Sequence, residues 1–187
     1  MCKVVYLTAK RFDKPANEFK NLLAEELRKR KVEVETGYAF DIFNYFRKHK
    51  TYGIAIAIDF FRDNGTGSGL KLNKRCSSIA RDFAYNLSDS LDVLTPTIPW
   101  RELEYVDSYD ADWYKFYNKV SSTTKVILYL CTITNANDYD SFLTVRDKVI
   151  SSFVDEIIRC LRSNYNWELY IKRKRLLKKN SNKKTLI

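Results

Sequence analysis

The sequence predicts a three-layer α/β domain: a mixed, mostly parallel twisted sheet with helices on both faces. Three observations carry this expectation: β-branched apolar runs of strand length, amphipathic segments of helical period, and regular alternation of the two along the chain. Lys3 to Thr8 is β-branched and aromatic, a buried strand ending near Ala9, and a loop with Asp13 and Pro15 follows. From Asn17 to Lys31, Phe19, Leu22, Leu23 and Leu27 recur at helical spacing with Asn17 as N-cap, and Val32 to Glu35 then alternates as a strand. Phe40 to Lys50 reads as a second helix and Gly53 to Ile58 as an apolar strand. The run Asp63 to Gly69 reads as a hairpin turn into a short strand at Leu70 to Leu72, followed by a helix from Lys74 to Ser90 carrying Ile79, Phe83 and Leu87. Pro96 and Pro99 make Asp92 to Asp112 irregular. Its aspartates Asp107, Asp110 and Asp112 lack the spacing and glycine of a calcium loop and read as an exposed acidic stretch. Lys125 to Cys131 is a second fully apolar strand, and a helix from Asp140 to Ser163 shows Phe142, Val145, Val149, Phe153, Ile157 and Leu161 along one stripe.

Composition bounds the class. In 187 residues, hydrophobic residues make up 45% and charged residues 30%, with five glycines and three prolines, which excludes collagen-like and wholly disordered chains. No apolar run approaches the roughly 20 residues a membrane-spanning helix needs, so a soluble, cytoplasmic protein with no membrane partner is expected. Cys2, Cys76, Cys131 and Cys160 form no CxxC pair and no dense framework. A reducing compartment and small buried thiols are the expectation.

The distribution of charge says more than its total of +10. Eight of the 33 basic residues fall in 169–187, which has no acidic residue, leaving 25 against 23 in everything before. Residues 1–166 therefore read as a nearly neutral body and 167–187 as a basic C-terminal arm. Such an arm is the electrostatic footprint of a phosphate-rich partner, because neutralising phosphates releases condensed counterions; a solvated tail is the plain alternative. Lys172, Arg173, Lys174, Arg175, Lys178 and Lys179 are the expected polyanion contacts, with Trp167 and Tyr170 available for stacking on nucleic acid. Familiar catalytic templates are absent. Gly65 to Gly69 lacks the Lys-Ser/Thr of a phosphate loop, and His49, the only histidine, sits among Arg47, Lys48 and Lys50.

Four strings in order resemble the catalytic domain of zinc-dependent N-acetylmuramoyl-L-alanine amidases, over about residues 3–163. Val5 to Arg11 resembles the opening strand that runs into a zinc histidine. Glu18-Phe19-Lys20-Asn21 resembles the glutamate ligand followed three residues later by asparagine. Ala57 to Phe61, ahead of Gly65-Thr66-Gly67-Ser68-Gly69, is similar to the strand bearing the second zinc histidine. Val126 to Asn135 parallels the late strand with the catalytic glutamate. The resemblance implies an amidase-like fold.

The departures shape the functional expectation. Arg11 falls at the first histidine position, Glu18 is kept, Asp59 replaces the second histidine and Tyr129 stands at the catalytic glutamate. A hydrolytic zinc needs three converging donors and a nearby carboxylate base, whereas arginine has no lone pair to give and a phenol titrates near ~10. The resemblance thus implies a degenerate former site at Arg11, Glu18, Asp59 and Tyr129, with the Arg11 guanidinium bridging the two carboxylates, no metal, no cofactor and no enzymatic activity. The expected function is a binding protein on an inactive amidase-like scaffold, fitting a phage- or plasmid-encoded chain, with nucleic acid or another polyanion as partner. The alternatives are a protein-interaction module, an inhibitor or adaptor using the aromatics of Trp100 to Tyr117, and a residual cell-wall amidase.

Overall fold

A computed structural model describes residues 4–38, 52–73, 76–101, 104–106, 113, 116–117, 120 and 122–184, with backbone alone at 52, 104–106, 122–123 and 164–184. The helix expected over Phe40 to Lys50, with His49, lies outside the described residues.

The elements in chain order are β1 (Val4–Ala9), α1 (Lys14–Lys29), β2 (Glu33–Tyr38), β3 (Tyr52–Phe61), β4 (Gly69–Asn73), α2 (Ser78–Leu94), β5 (Glu104–Val106), β6 (Ser122–Thr132) and α3 (Ala136–Lys184). The strands form one mixed sheet in the order β2-β1-β3-β6-β4-β5. Every pairing is parallel except β4 with β6. This is the expected mixed, mostly parallel α/β sheet, with α1, α2 and α3 all packed on one of its faces.

The alternation of large and small residues on β3 decides how the two faces are covered. Ile54, Ile56, Ile58 and Phe60 join Val5 and Leu7 of β1 and Val126 and Leu128 of β6 in one core with α1, α2 and α3. Phe19 of α1 sits at the centre of that core, its ring 5.8 Å from Phe142 and 6.2 Å from Phe153. The opposite face carries Ala55 and Ala57. Their small side chains let Trp113, Phe116, Tyr117 and Val120 lie against the sheet beside Val4, Tyr6, Ile127 and Tyr129. Three aromatics expected at a partner surface are therefore core residues, with Trp113 at 1%, Phe116 at 0% and Tyr117 at 5% exposure. Burying an aromatic removes 150–250 Å² from water, and the sheet face offers that burial without a partner protein.

Several local expectations are corrected. The hairpin is absent: β6 lies between β3 and β4, so Asp63 to Gly69 crosses over the end of β6. Helix α1 starts earlier because Asp13, not Asn17, caps it. Asp13 Oδ1 accepts from the Ala16 N–H at 3.2 Å and Pro15 occupies the first turn. Asn17 instead donates to the carbonyls of Lys10 at 2.8 Å and Asp13 at 2.7 Å, pinning the turn after β1. Helix α3 begins at Ala136, capped by Asn135 Oδ1 at 3.1 Å from the Asn137 N–H, and continues past Ser163 to Lys184.

Candidate functional site

Strand β1 has β2 on one side and β3 on the other, so the chain leaves β1 in one direction and returns past it in the opposite one. In an open α/β sheet such a reversal opens a crevice at the carboxyl ends of the two strands, where ligands bind. Lys10 follows β1 and Asp59 is near the end of β3, and they meet across this point, Lys10 Nζ to Asp59 Oδ2 at 3.2 Å. Asp59 is 1% exposed and its Oδ1 accepts from the Phe60 N–H at 2.9 Å. Burial pushes the Asp59 carboxyl above the ordinary carboxylate range, while Lys10 and the Phe60 N–H pull it back and Asp13 adds to the rise. Asp13 is itself paired with Arg62 at 2.6 Å. The Lys10 ammonium lies 5.6 Å from the centre of the Trp113 ring, whose buried indole Nε1 has no hydrogen-bond partner among the described residues.

The neighbouring rim is tied down by charge. Arg101 grips both oxygens of Asp63, at 2.7 and 2.8 Å, and its guanidinium holds the Asp63 carboxyl down at about 2. The same guanidinium lies 4.0 Å from the Phe61 ring, which stacks on Tyr129 at 4.4 Å and 12°, with Lys71 Nζ 5.4 Å from the Tyr129 ring. Asp138, in the first turn of α3, accepts from Thr66 Oγ1 at 2.7 Å and the Gly67 N–H at 2.6 Å. Cys131 is buried, and loss of solvent, with the nearby Asp138 charge, pushes its thiol up to about 12, so it stays protonated and inert at neutral pH.

The four residues taken from the resemblance all lie at this carboxyl end but do not converge as expected. Asp59 and Tyr129 face each other in the β3–β6 register. Glu18 pairs with Arg146 of α3 at 2.8 Å, and the Arg11 guanidinium lies 5.6 Å from the Tyr38 ring. The cation on Asp59 is Lys10, not Arg11. Strand parity is the signal that finds it: Val4, Tyr6, Thr8 and Lys10 share the face of Ala55, Ala57 and Asp59, while Arg11 belongs to the other face. The arm residues Lys172, Arg173, Lys174, Arg175, Lys178 and Lys179 lie along the backbone of α3. That helix has no break at residue 166.

The zinc implied by the resemblance does not fit these side chains. Asp59 is engaged by an ammonium, Glu18 by a guanidinium, and Tyr129 is stacked under Phe61. Among the described residues no group of three or more His, Cys, Asp or Glu could hold a metal ion. Among the described residues, too, no helix is long and apolar enough to cross a membrane.

No protein-family profile matches the sequence, and no curated protein is significantly similar to it. Nine solved chains match in structure. The catalytic domain of the endolysin CD27L, targeting Clostridia difficile, superposes with a TM-score of 0.66 at 14% identity, covering 84% of this chain and 97% of its own. The N-acetylmuramoyl-L-alanine amidase of Clostridium difficile 630 gives 0.67 at 10% identity, over 87% and 98%. The amidase AmiC2 of Nostoc punctiforme gives 0.63 at 11%, over 87% and 98%. At such identities the likeness establishes the fold. It also corrects the expectation that the chain is not an enzyme: the solved structures that share its fold are N-acetylmuramoyl-L-alanine amidases. The chain has an amidase-like α/β fold.

Proposed function

We propose that this chain binds a polyanion, nucleic acid first, through the basic arm that α3 carries away from the amidase-like body. The observation that supports the reading most is the continuity of α3, 49 residues from Ala136 to Lys184. At 1.5 Å per residue the helix is about 74 Å long, whereas a body of this size is about 40 Å across. Its last turns extend past the body. Those turns carry Lys172, Arg173, Lys174, Arg175, Lys178 and Lys179, and from residue 169 on the sequence has no acidic residue. Repeated cations on a preformed rod suit a phosphate backbone and spare the ordering entropy that a disordered tail loses on binding.

Salt-dependent retention on single- and double-stranded nucleic acid tests the reading. With six phosphate contacts the slope of log affinity against log salt is about −5, and replacing those six residues by Gln should bring it close to zero. Retention that is insensitive to salt, or unchanged in the six-Gln variant, would sink the proposal.

The structural neighbours favour a second reading, amide-bond hydrolysis in a cell-wall substrate, housed where β1 and β3 end. A muropeptide assay with and without added zinc decides it. Product formation that disappears in Asp59→Asn supports this reading, and no product under either condition sets it aside.

A further inference from the structure

Among the described residues the exposed large aromatics are Phe12, Tyr38 and Tyr85, and the first two share one end of the sheet. Phe12, 91% exposed, sits in the turn after β1, and Tyr38 closes the neighbouring strand β2. Arg11 links them. It precedes Phe12 in the chain, and its guanidinium lies 5.6 Å from the centre of the Tyr38 ring, with the Lys20 ammonium 4.6 Å from the same ring. The carboxylates described at this end are already engaged: Asp13 by Arg62, Asp59 by Lys10, Asp63 by Arg101 and Glu18 by Arg146. Two cations are left over. Lys14 is exposed with no carboxylate partner among the described residues, and the buried Lys20 donates only to neutral groups, Asn17 Oδ1 at 2.7 Å and the Gly37 carbonyl at 3.3 Å. We propose that Arg11, Phe12, Lys14 and Tyr38 form a binding patch for a free nucleotide, its base stacked on the rings and its phosphate held by the cations.

The pairing of flat rings with surplus positive charge names the ligand. A nucleobase offers its π face to Phe12, Tyr38 and the guanidinium plane of Arg11, and the phosphate beside it answers the charge. Neither half suffices alone. An apolar partner would leave the cations unanswered, and a bare phosphate would leave a phenyl ring that is 91% exposed in water. The basic arm is remote from this patch. Helix α3 starts at the patch's end of the sheet, where Arg146 pairs with Glu18, and runs down to Leu161 beside Gly53 at the amino end of β3 before the arm begins. The patch is therefore independent of the arm and of whatever the arm binds.

Titration of adenosine monophosphate into the full chain, followed by NMR, tests the patch. The six-Gln variant serves as the host, so that arm charges contribute nothing to the signal. Saturation is expected with a dissociation constant of about 1 mM or below, and adenosine or inorganic phosphate alone should bind at least about tenfold more weakly. Phe12→Ala should weaken nucleotide binding about tenfold, the scale of one base–aromatic stack. Arg11→Gln with Lys14→Gln should reduce the nucleotide to the level of adenosine. All three positions are exposed, so the substitutions leave the core intact, and circular dichroism verifies this. A folded host that does not saturate with the nucleotide overturns the proposal. So does a folded Phe12→Ala variant with unchanged affinity, or inorganic phosphate that binds as well as the nucleotide. Binding to anionic phospholipid vesicles that Phe12→Ala abolishes, with no nucleotide bound, assigns the patch to a membrane surface and overturns it too.

Discussion

The carboxyl end of the sheet and the far end of α3 spend charge in opposite ways. At the sheet end, Asp59, Asp13, Asp63 and Glu18 each have a named cation, and Asp138 is spent on the hydroxyl and N–H of the Thr66–Gly67 loop. Across 169–187 the sequence offers no anion at all. Charge in the first region is consumed by the fold, where paired groups lose water only because each has a partner. Charge in the second has no acidic residue within its own segment to meet. A net charge of +10 thus describes neither region, and only its placement predicts behaviour.

Substitutions in the two regions should differ accordingly. The largest loss belongs to neither charge set: Phe19→Ala, at the centre of the helical core, should cost about 3–5 kcal/mol. For a chain of this length that lowers the thermal midpoint by about 10 °C, read by circular dichroism. Next, Lys10→Met should cost about 2–3 kcal/mol, more than Asp59→Asn, because it strands a carboxylate that is 1% exposed, whereas the partly exposed ammonium left by Asp59→Asn can hydrate. The deficit has a sign. Without Lys10 only the Phe60 N–H offsets burial, so native Asp59 binds its proton more tightly than the unfolded chain does. Stability then falls as pH rises from about 3.9 through the raised native value, and the deficit fades at lower pH. Denaturant midpoints from pH 3 to 7 check this; a deficit that ignores pH would assign the loss to packing.

Gly67→Ala comes third. Gly67 has φ of +124°, and an added Cβ would stand 2.5 Å from the Pro99 carbonyl oxygen, so a cost of about 1–3 kcal/mol is expected in urea unfolding. The smallest effect on stability belongs to the arm. The six-Gln variant should change unfolding free energy by less than about 0.5 kcal/mol while abolishing polyanion retention. A large stability change there would mean that the arm belongs to the fold, and the contrast between the regions would fail.

The order of strands and helices was legible because each element announces itself over a few residues: Val4 to Ala9, the Ile–Ala alternation of β3, and the phenylalanine stripe of α3. The sheet order was not, since placing β6 between β3 and β4 depends on contacts some 70 residues apart in sequence. Trp113, Phe116 and Tyr117 misled for a related reason, because a segment without periodicity gives no sign of which sheet face will bury it. At the candidate site, reading aligned positions pointed to Arg11, whereas the alternation of a strand pointed to Lys10. The geometry followed the strand.

Helix α3 has a mechanical consequence. Its first turn fastens the Thr66–Gly67 loop through Asp138, and its last residues lie about 70 Å away along one unbroken rod. Anything that seizes the distal end therefore exerts leverage on the strand termini where Lys10 and Asp59 meet, and a load at one extremity is felt at the other without any intervening hinge.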